Sequence, residues 1–205
     1  MAMRLGVFGG TFNPVHLGHL VLARECRDQL GLDEVWLVPC GTPPHKKPAD
    51  LADPLARKEM LLLATAGDPS LVVSDIEIQR PGVSYTVDTL ETIAAGDPDR
   101  ELFLLLGADA VDDLVNWHRP ERICELATLV AVNRGEKASI TALPGARVEA
   151  VTIPGIALSS SDLRQRILAG RSLRYLMPRA VEIYLQEHDV YAGDDPTPHR
   201  PDDIS

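Results

Sequence analysis

Residues 4–24 read RLGVFGGTFNPVHLGHLVLAR, and this stretch decides the fold. Arg4 to Phe8 is a short apolar run closed by a glycine pair, the pattern of a buried strand. Gly9 and Gly10 follow at once, and without Cβ atoms their amides can come close to a ligand. Thr11, Phe12, Asn13 and Pro14 carry the turn. From Leu17 to Leu30 apolar and polar residues recur at helical spacing. A strand therefore feeds a Gly-rich turn, and the turn feeds a helix start. Unpaired N–H groups and a partial positive charge make that start a seat for anions. His16 and His19 stand there with Gly18 between them. Their spacing puts both imidazoles on one helix face, each able to donate to a phosphate oxygen and to carry charge. Gly18 weakens a helix, and a closely approaching ligand accounts for its presence. The bland alternative is a turn with surface histidines. A metal site is another, but no further Cys or His stands nearby in a zinc-like array. The whole sequence of features in this order favours a phosphate site.

Glu34 to Pro39 (EVWLVP) is a second strand, so strand, helix and strand form a βαβ unit with parallel strands. Ligands of such sheets sit beyond the carboxyl ends of the strands. The loop Cys40–Pro48 (CGTPPHKKP) leaves that end, stiffened by proline, and presents His45, Lys46 and Lys47 for phosphate contact rather than as a merely solvated basic loop.

These residues resemble a known group. GGTFNPVHLGHL is similar to the signature of the adenylyl- and cytidylyltransferase superfamily with a His-x-Gly-His motif. Within it the sequence resembles the bacterial nicotinate-nucleotide adenylyltransferases, over residues 3–191. That family carries a similar Pro-Pro-His-Lys stretch that helps hold substrate phosphates. Relatives often have Asn where this chain has Cys40, which cannot donate an amide hydrogen bond.

Composition narrows the class. The chain has 205 residues, enough for one domain with a sizeable core, and 45% hydrophobic residues, ordinary for a globular protein. A formal charge of −10 argues against wrapping nucleic acid, though not against small anions held by a few placed cations. Cys26, Cys40 and Cys124 are widely spaced without a CxxC, which fits a reduced, cytoplasmic protein. No apolar run suits a signal segment or a bilayer span, so no membrane partner is expected. A homo-oligomer is compatible with the sequence, which does not fix one.

Further along, Pro54 to Ala66 reads as a helix, capped by Asp53 and with Pro54 at its first position. Met60, Leu61 and Leu63 should face the core, and Arg57 and Lys58 the solvent. Leu71 to Val73 is a short strand, from which residues 74–77 lead away. Pro81–Gly82 marks a turn, and Tyr85, Thr86 and Asp88 precede a helix to about Ala95 that Thr86 can cap. The resemblance implies a second role: a Ser-Tyr-Thr stretch that contacts the pyridine carboxylate of the substrate through its backbone and Thr86. Glu101 to Leu106 is a central buried strand that ends in Gly107–Ala108–Asp109. Asp109 is placed to bind ribose hydroxyls or to cap a helix at 110–115. Trp117 sits among Asn, His, Arg and Pro, and the resemblance assigns an aromatic here to stacking on the nicotinate ring, the alternative being a core Trp.

Arg122 to Leu126 continues a helix, Thr128 to Val132 is a strand, and Arg134 beyond it is either a bidentate phosphate donor or solvated. Ala146 to Ile153 is the last strand. Ser159 and Ser160 precede an apolar helix with Arg164 one turn in, a second anion seat at a helix start. Relatives show Ile-Ser-Ser-Thr-x-Ile-Arg here, and the hydroxyls and Arg164 are kept. A helix opens with Pro178 at its first position, and 193–205, rich in Asp and Pro, should be a disordered tail to a 1–192 domain.

The expected fold is thus a single doubly wound, Rossmann-like α/β domain with a mostly parallel sheet. The resemblance implies transfer of AMP from ATP to nicotinate mononucleotide, releasing pyrophosphate, with Mg²⁺ bridging the ATP oxygens and no dedicated protein metal site. His16, His19, Lys46 and Arg164 would stabilise charge. Gly9, Gly10, Thr11, Phe12, Gly107, Asp109, Ser159 and Ser160 would hold ATP. His45, Tyr85, Thr86, Trp117 and Arg134 would hold the mononucleotide. An enzyme preferring the amide mononucleotide, or a nucleotide-binding regulator without turnover, are the alternatives. A class I tRNA synthetase shares the His-x-Gly-His logic but needs a Lys-rich loop and a tRNA-binding extension that this acidic chain lacks.

Overall fold

The computed structural model describes residues 2–44, 51–134 and 143–191, with Ala108, Asp109 and Arg134 described for their backbone alone. The expectations for His45, Lys46 and the 193–205 tail lie outside the described residues. Six strands form one sheet: β1 (Arg4–Gly10), β2 (Glu34–Pro39), β3 (Leu71–Val73), β4 (Glu101–Gly107), β5 (Ala127–Arg134) and β6 (Val148–Ile153). Their order is β3-β2-β1-β4-β5-β6, and every neighbouring pair is parallel. This is the doubly wound arrangement, with strand order reversing between β1 and β4.

The register shows why a crevice opens at that reversal. β1 pairs with β4 only from Arg4↔Glu101 to Val7↔Leu104. β1 then continues against β2 as far as Gly10↔Pro39, and β4 against β5 as far as Gly107↔Val132. The two central strands therefore part beyond Val7 and Leu104, leaving a gap at their carboxyl ends. Pairing to β2 also explains why β1 runs two residues past the apolar run that marks it in the sequence.

The helices are α1 (Leu17–Leu30), α2 (Pro54–Thr65), α3 (Ile76–Gln79), α4 (Thr86–Gly96), α5 (Ala108–Asp112), α6 (Pro120–Leu126), α7 (Ser160–Leu168) and α8 (Arg179–Glu187), with a 3₁₀ turn at Leu114–Asn116. Strand side chains alternate between faces. Phe8, Phe103, Leu105, Val130 and Val132 pack with Leu22 and Cys26 of α1, Met60 and Leu61 of α2, Leu163 of α7 and Val181 of α8. Leu5, Val7, Leu102, Leu104 and Leu129 pack on the other face with Leu90 of α4, Val111 of α5 and Ile123 of α6. Each such leucine, fully buried, is worth about 1.5–3 kcal/mol. Among the described residues no helix is long and apolar enough to cross a membrane.

Helix ends follow their local chemistry. Asp53 caps α2, accepting the Leu55 N–H at 2.8 Å, with Pro54 in the first turn. α1 ends at Gly31, whose left-handed φ of 59° turns its N–H back to the Arg27 carbonyl. Several expectations are corrected. Pro178 is the N-cap of α8, one residue before the helix proper. Tyr85 is the N-cap of α4, so Thr86 is its first helical residue and not its cap. The helix after β4 begins at Ala108, which puts Asp109 inside the first turn and not at the cap. The segment 74–77 contributes the short α3. The largest correction is Arg57, expected in solvent and found with 0% exposure. Lys58 beside it pairs with Asp75 at 2.6 Å.

Candidate active site

The gap between β1 and β4 is lined at its base by glycine. A Cβ added at Gly9 or at Gly107 would meet nothing within 4 Å, so open space lies in front of both strand ends. The Gly10 carbonyl accepts the Cys40 N–H at 2.9 Å, on the β2 side. Because a trans peptide is planar, the Thr11 N–H of the same unit points the opposite way, toward the gap. The Thr11 carbonyl turns inward to Arg57 at 2.9 Å.

Phe12 follows with φ of 46°, a backbone region that bulky residues rarely adopt. Its ring is 1% exposed and stands edge-on to Phe8 (5.4 Å) and to His19 (5.1 Å). The Phe12 side chain is therefore a core prop for His19, and any contact it makes with a nucleotide is through its backbone. His16 is the N-cap of α1, extended and buried. Its ring stacks on that of His19 with centroids 3.7 Å apart. The His16 backbone N–H donates to His19 Nδ1 at 3.2 Å. With Nδ1 accepting, Nε2 is the ring nitrogen of His19 left to donate. Gly18 has a reason other than the expected ligand: a Cβ there would come within 3.0 Å of His16 Nδ1. The first turn of α1 holds no acidic residue, which keeps its positive end uncompensated.

The second signature meets the first. Ser159 caps α7, accepting the Asp162 N–H at 3.1 Å. Ser160 Oγ donates to the Pro14 carbonyl at 2.8 Å, and Arg164 Nη1 to the Asn13 carbonyl at 2.8 Å. These bonds bring the starts of α1 and α7 to one turn. Asn13, quoted in the sequence signature without a role, is the hub: 1% exposed, its Oδ1 accepts the Ala52 N–H at 2.9 Å and the Tyr191 hydroxyl at 2.7 Å. Burial raises the Tyr191 hydroxyl's pKa, against the pull of Arg164 and Arg57, so it stays a donor.

The residues expected to face the pyridine are joined to this turn through the loop after β2. Ser84 Oγ accepts the Gly41 and Thr42 N–H groups at 3.2 and 3.3 Å, and the Ser84 N–H donates to the Thr42 carbonyl at 2.9 Å. Cys40 at the loop's start is tied to Gly10, so Tyr85 and Thr86 stand one short loop from the glycine cradle. A Cβ at Gly41 would lie 2.4 Å from the Glu77 carbonyl oxygen, which fixes glycine there. Glu77 is buried, accepts the Thr89 hydroxyl at 2.7 Å, and burial raises its pKa. Burial, with Glu77 adding to it, pushes the Cys40 thiol up to about 11. Tyr85 packs its ring on His118 at 4.4 Å, and Trp117 is half-buried against the second core. Asp109 lies in the first turn of α5 and Arg134 ends β5, each at the carboxyl edge of the sheet. Among the described residues no group of three His, Cys, Asp or Glu side chains could hold a metal ion.

Sequence reading missed Arg57, Ser84, Glu77, Asn13 and Tyr191. All five are polar groups whose partners come from distant segments, so no local spacing marks them. The expected set is otherwise brought to one edge of the sheet, apart from His45 and Lys46, which lie outside the described residues.

A parallel sheet whose central strand ends meet two helix starts is the arrangement of nucleotide-handling α/β proteins, and known proteins bear on which kind. The family model described as Cytidylyltransferase-like matches residues 7–166. A protein of Thermus thermophilus named "Probable nicotinate-nucleotide adenylyltransferase" is 46% identical over 92% of this chain and 100% of its own length. One of the same name from Geobacillus thermodenitrificans is 42% identical over 93% of this chain and 87% of its own. The solved structure of Plasmodium falciparum nicotinic acid mononucleotide adenylyltransferase complexed with NaAD has the same fold, with a TM-score of 0.76 at 18% identity over 92% of this chain and 97% of that one. The chain belongs to the nicotinate-nucleotide adenylyltransferases, a branch of the cytidylyltransferase-like family.

Proposed function

We propose that the protein transfers the adenylyl group of ATP to nicotinate mononucleotide, forming the dinucleotide and pyrophosphate as a step toward NAD. The single observation that carries this is the convergence of the α1 and α7 starts on the Asn13–Pro14 turn, beside stacked histidines and a glycine-lined gap. The mononucleotide's phosphate oxygen attacks the α-phosphorus of ATP in line, and pyrophosphate leaves. A phosphate is already a nucleophile, so the protein's work is positioning and stabilisation of developing charge.

Gly9, Gly10 and Thr11, with the backbone of Phe12, cradle the triphosphate. His19 donates from Nε2, its Nδ1 being taken by the His16 N–H. Arg164 uses one of its five donors on Asn13, and the rest of its fork serves phosphate oxygens. Ser159 and Ser160 set the α7 start at the same turn, and Gly107 with Asp109 borders the nucleoside side of the gap. On the mononucleotide side the resemblance assigns His45, with Lys46 among the charge stabilisers. There Tyr85, Thr86 and Trp117 receive the pyridine acid, with Arg134 at its phosphate. ATP enters as its Mg²⁺ complex, the ion carried on the substrate's own oxygens and water. The three cysteines are free thiols, which suits the reducing cytoplasm.

A coupled pyrophosphate assay with both mononucleotides tests the reading. Pyrophosphate should appear only when a mononucleotide is present, with kcat/KM higher for the acid than for the amide. Release from ATP alone, or preference for the amide, refutes it. His19→Ala should fold normally and lose about 10²-fold or more in turnover; near-normal turnover removes His19 from the mechanism.

A further inference from the structure

Arg57 of α2 has no exposed surface, an unusual place for a guanidinium. A buried cation is tolerated only where its donors are paired. Arg57 Nε donates to the Ala52 carbonyl at 3.0 Å, Nη1 to the Thr11 carbonyl at 2.9 Å and Nη2 to the Gly41 carbonyl at 3.3 Å. The three acceptors lie on three segments: the entry to α2, the turn after β1 and the loop after β2. Burial lowers the affinity of Arg57 for its proton, while the nearby carboxylates of Asp53 and Glu77 work the other way. For stability alone an apolar residue of similar volume would often serve as well as a buried ion. A rigid planar fork is a better choice where the orientation of several peptides matters.

Two of the held peptides matter in that way. The Thr11 carbonyl points inward at Arg57, so the Phe12 N–H of the same planar unit points away from it. The Gly41 carbonyl does likewise, and its partner N–H, that of Thr42, reaches Ser84 Oγ at 3.3 Å. Phe12 is also the residue held at φ of 46°, a conformation that persists only when its surroundings over-determine it.

We infer that Arg57 is a positioning residue whose guanidinium locks the Gly10–Phe12 turn to the loop after β2, so that the phosphate cradle is set before ATP arrives. The inference rests on reading that turn as the cradle. Arg57 touches no substrate; it acts through the two peptides it holds.

The full-length protein carrying Arg57→Lys keeps the charge and loses the fork. It should stay folded by thermal melting, bind ATP more weakly in equilibrium dialysis without the mononucleotide, and lose about 100-fold in kcat/KM for ATP. In Arg57→Ala, added guanidinium ion should restore part of the ATP affinity and turnover while leaving the wild type unchanged. Wild-type deuterium uptake over residues 9–16 gives a check that needs no variant: it should be slow before ATP and change little afterwards. Arg57→Lys within about threefold of wild type, a loss that only tracks the unfolded fraction, or a 9–16 segment that exchanges freely until ATP binds, each overturns the proposal. Dialysis reads ATP binding without turnover. A wild type that binds ATP but releases no pyrophosphate therefore counts against the proposed function and not against Arg57.

Discussion

Gly18→Ala should separate stability from catalysis. The backbone at Gly18 lies outside the left-handed region, so alanine fits its conformation, but the added Cβ would stand 3.0 Å from His16 Nδ1 and 3.1 Å from Cε1. Such a contact forces the neighbour to give by a few tenths of an ångström. The His16 ring has little freedom to do so, because it is 3% exposed and stacked 3.7 Å from His19. Replacing a helical glycine returns up to about 1 kcal/mol, less in the first turn where residue 18 sits. The repulsion cancels much of that gain, so stability should stay within about 1 kcal/mol of wild type. Misplacing a reacting group by 1 Å costs about 100-fold, so a few tenths of an ångström costs about 3- to 10-fold in kcat. Urea denaturation and steady-state pyrophosphate release on the same samples read the two quantities. Wild-type kcat would refute the link between Gly18 and the histidine pair; a stability loss above about 2 kcal/mol would show the ring cannot yield at all.

Gly41→Ala places a Cβ 2.4 Å from a backbone oxygen, that of Glu77, so the loop after β2 must move; a loss of about 2 kcal/mol or more and a raised KM for the mononucleotide are expected, read by denaturation and kinetics. Burial moves the Cys40 thiol from 9.0 to about 11, so the reactive thiolate appears only at higher pH. At pH 8 this leaves about 100-fold less thiolate than an unperturbed thiol, offset in part by greater nucleophilicity, for a net slowing of about tenfold. Iodoacetamide labelling followed by mass spectrometry should show a Cys40 rate that climbs through pH 9 and 10; a plateau near pH 9 contradicts it.

Most of the architecture is legible in the sequence because the central strands are uninterrupted apolar runs. ELFLLL reads as a strand buried on both faces, and RLGVFGG as a strand closed by a glycine pair. Helix starts are nearly as clear, with Asp53–Pro54 and Ser159 marked by their own side chains. The histidine pair and the Ser-Ser-Arg signature are visible for the same reason: their chemistry and their spacing are local. Arg57 is invisible because a basic residue on an amphipathic helix ordinarily faces water, and its burial depends on carbonyls 5, 16 and 46 residues away. Gly18 invites a ligand explanation from sequence because nothing local reveals that a neighbouring imidazole occupies the space. Pro178 and Thr86 are each displaced by one position from the expected cap geometry, since tertiary packing sets where the first helical residue falls.

The Asn13–Pro14 turn receives its side-chain partners from Ser160, Arg164 and Tyr191. A ribosome makes that turn 146 residues before Ser160, 151 before Arg164 and 178 before Tyr191. A chain cut short before Tyr191 would lack the hydroxyl that closes the set, however well its early strands and helices had formed. Closure of the turn therefore waits on residues made far downstream of it.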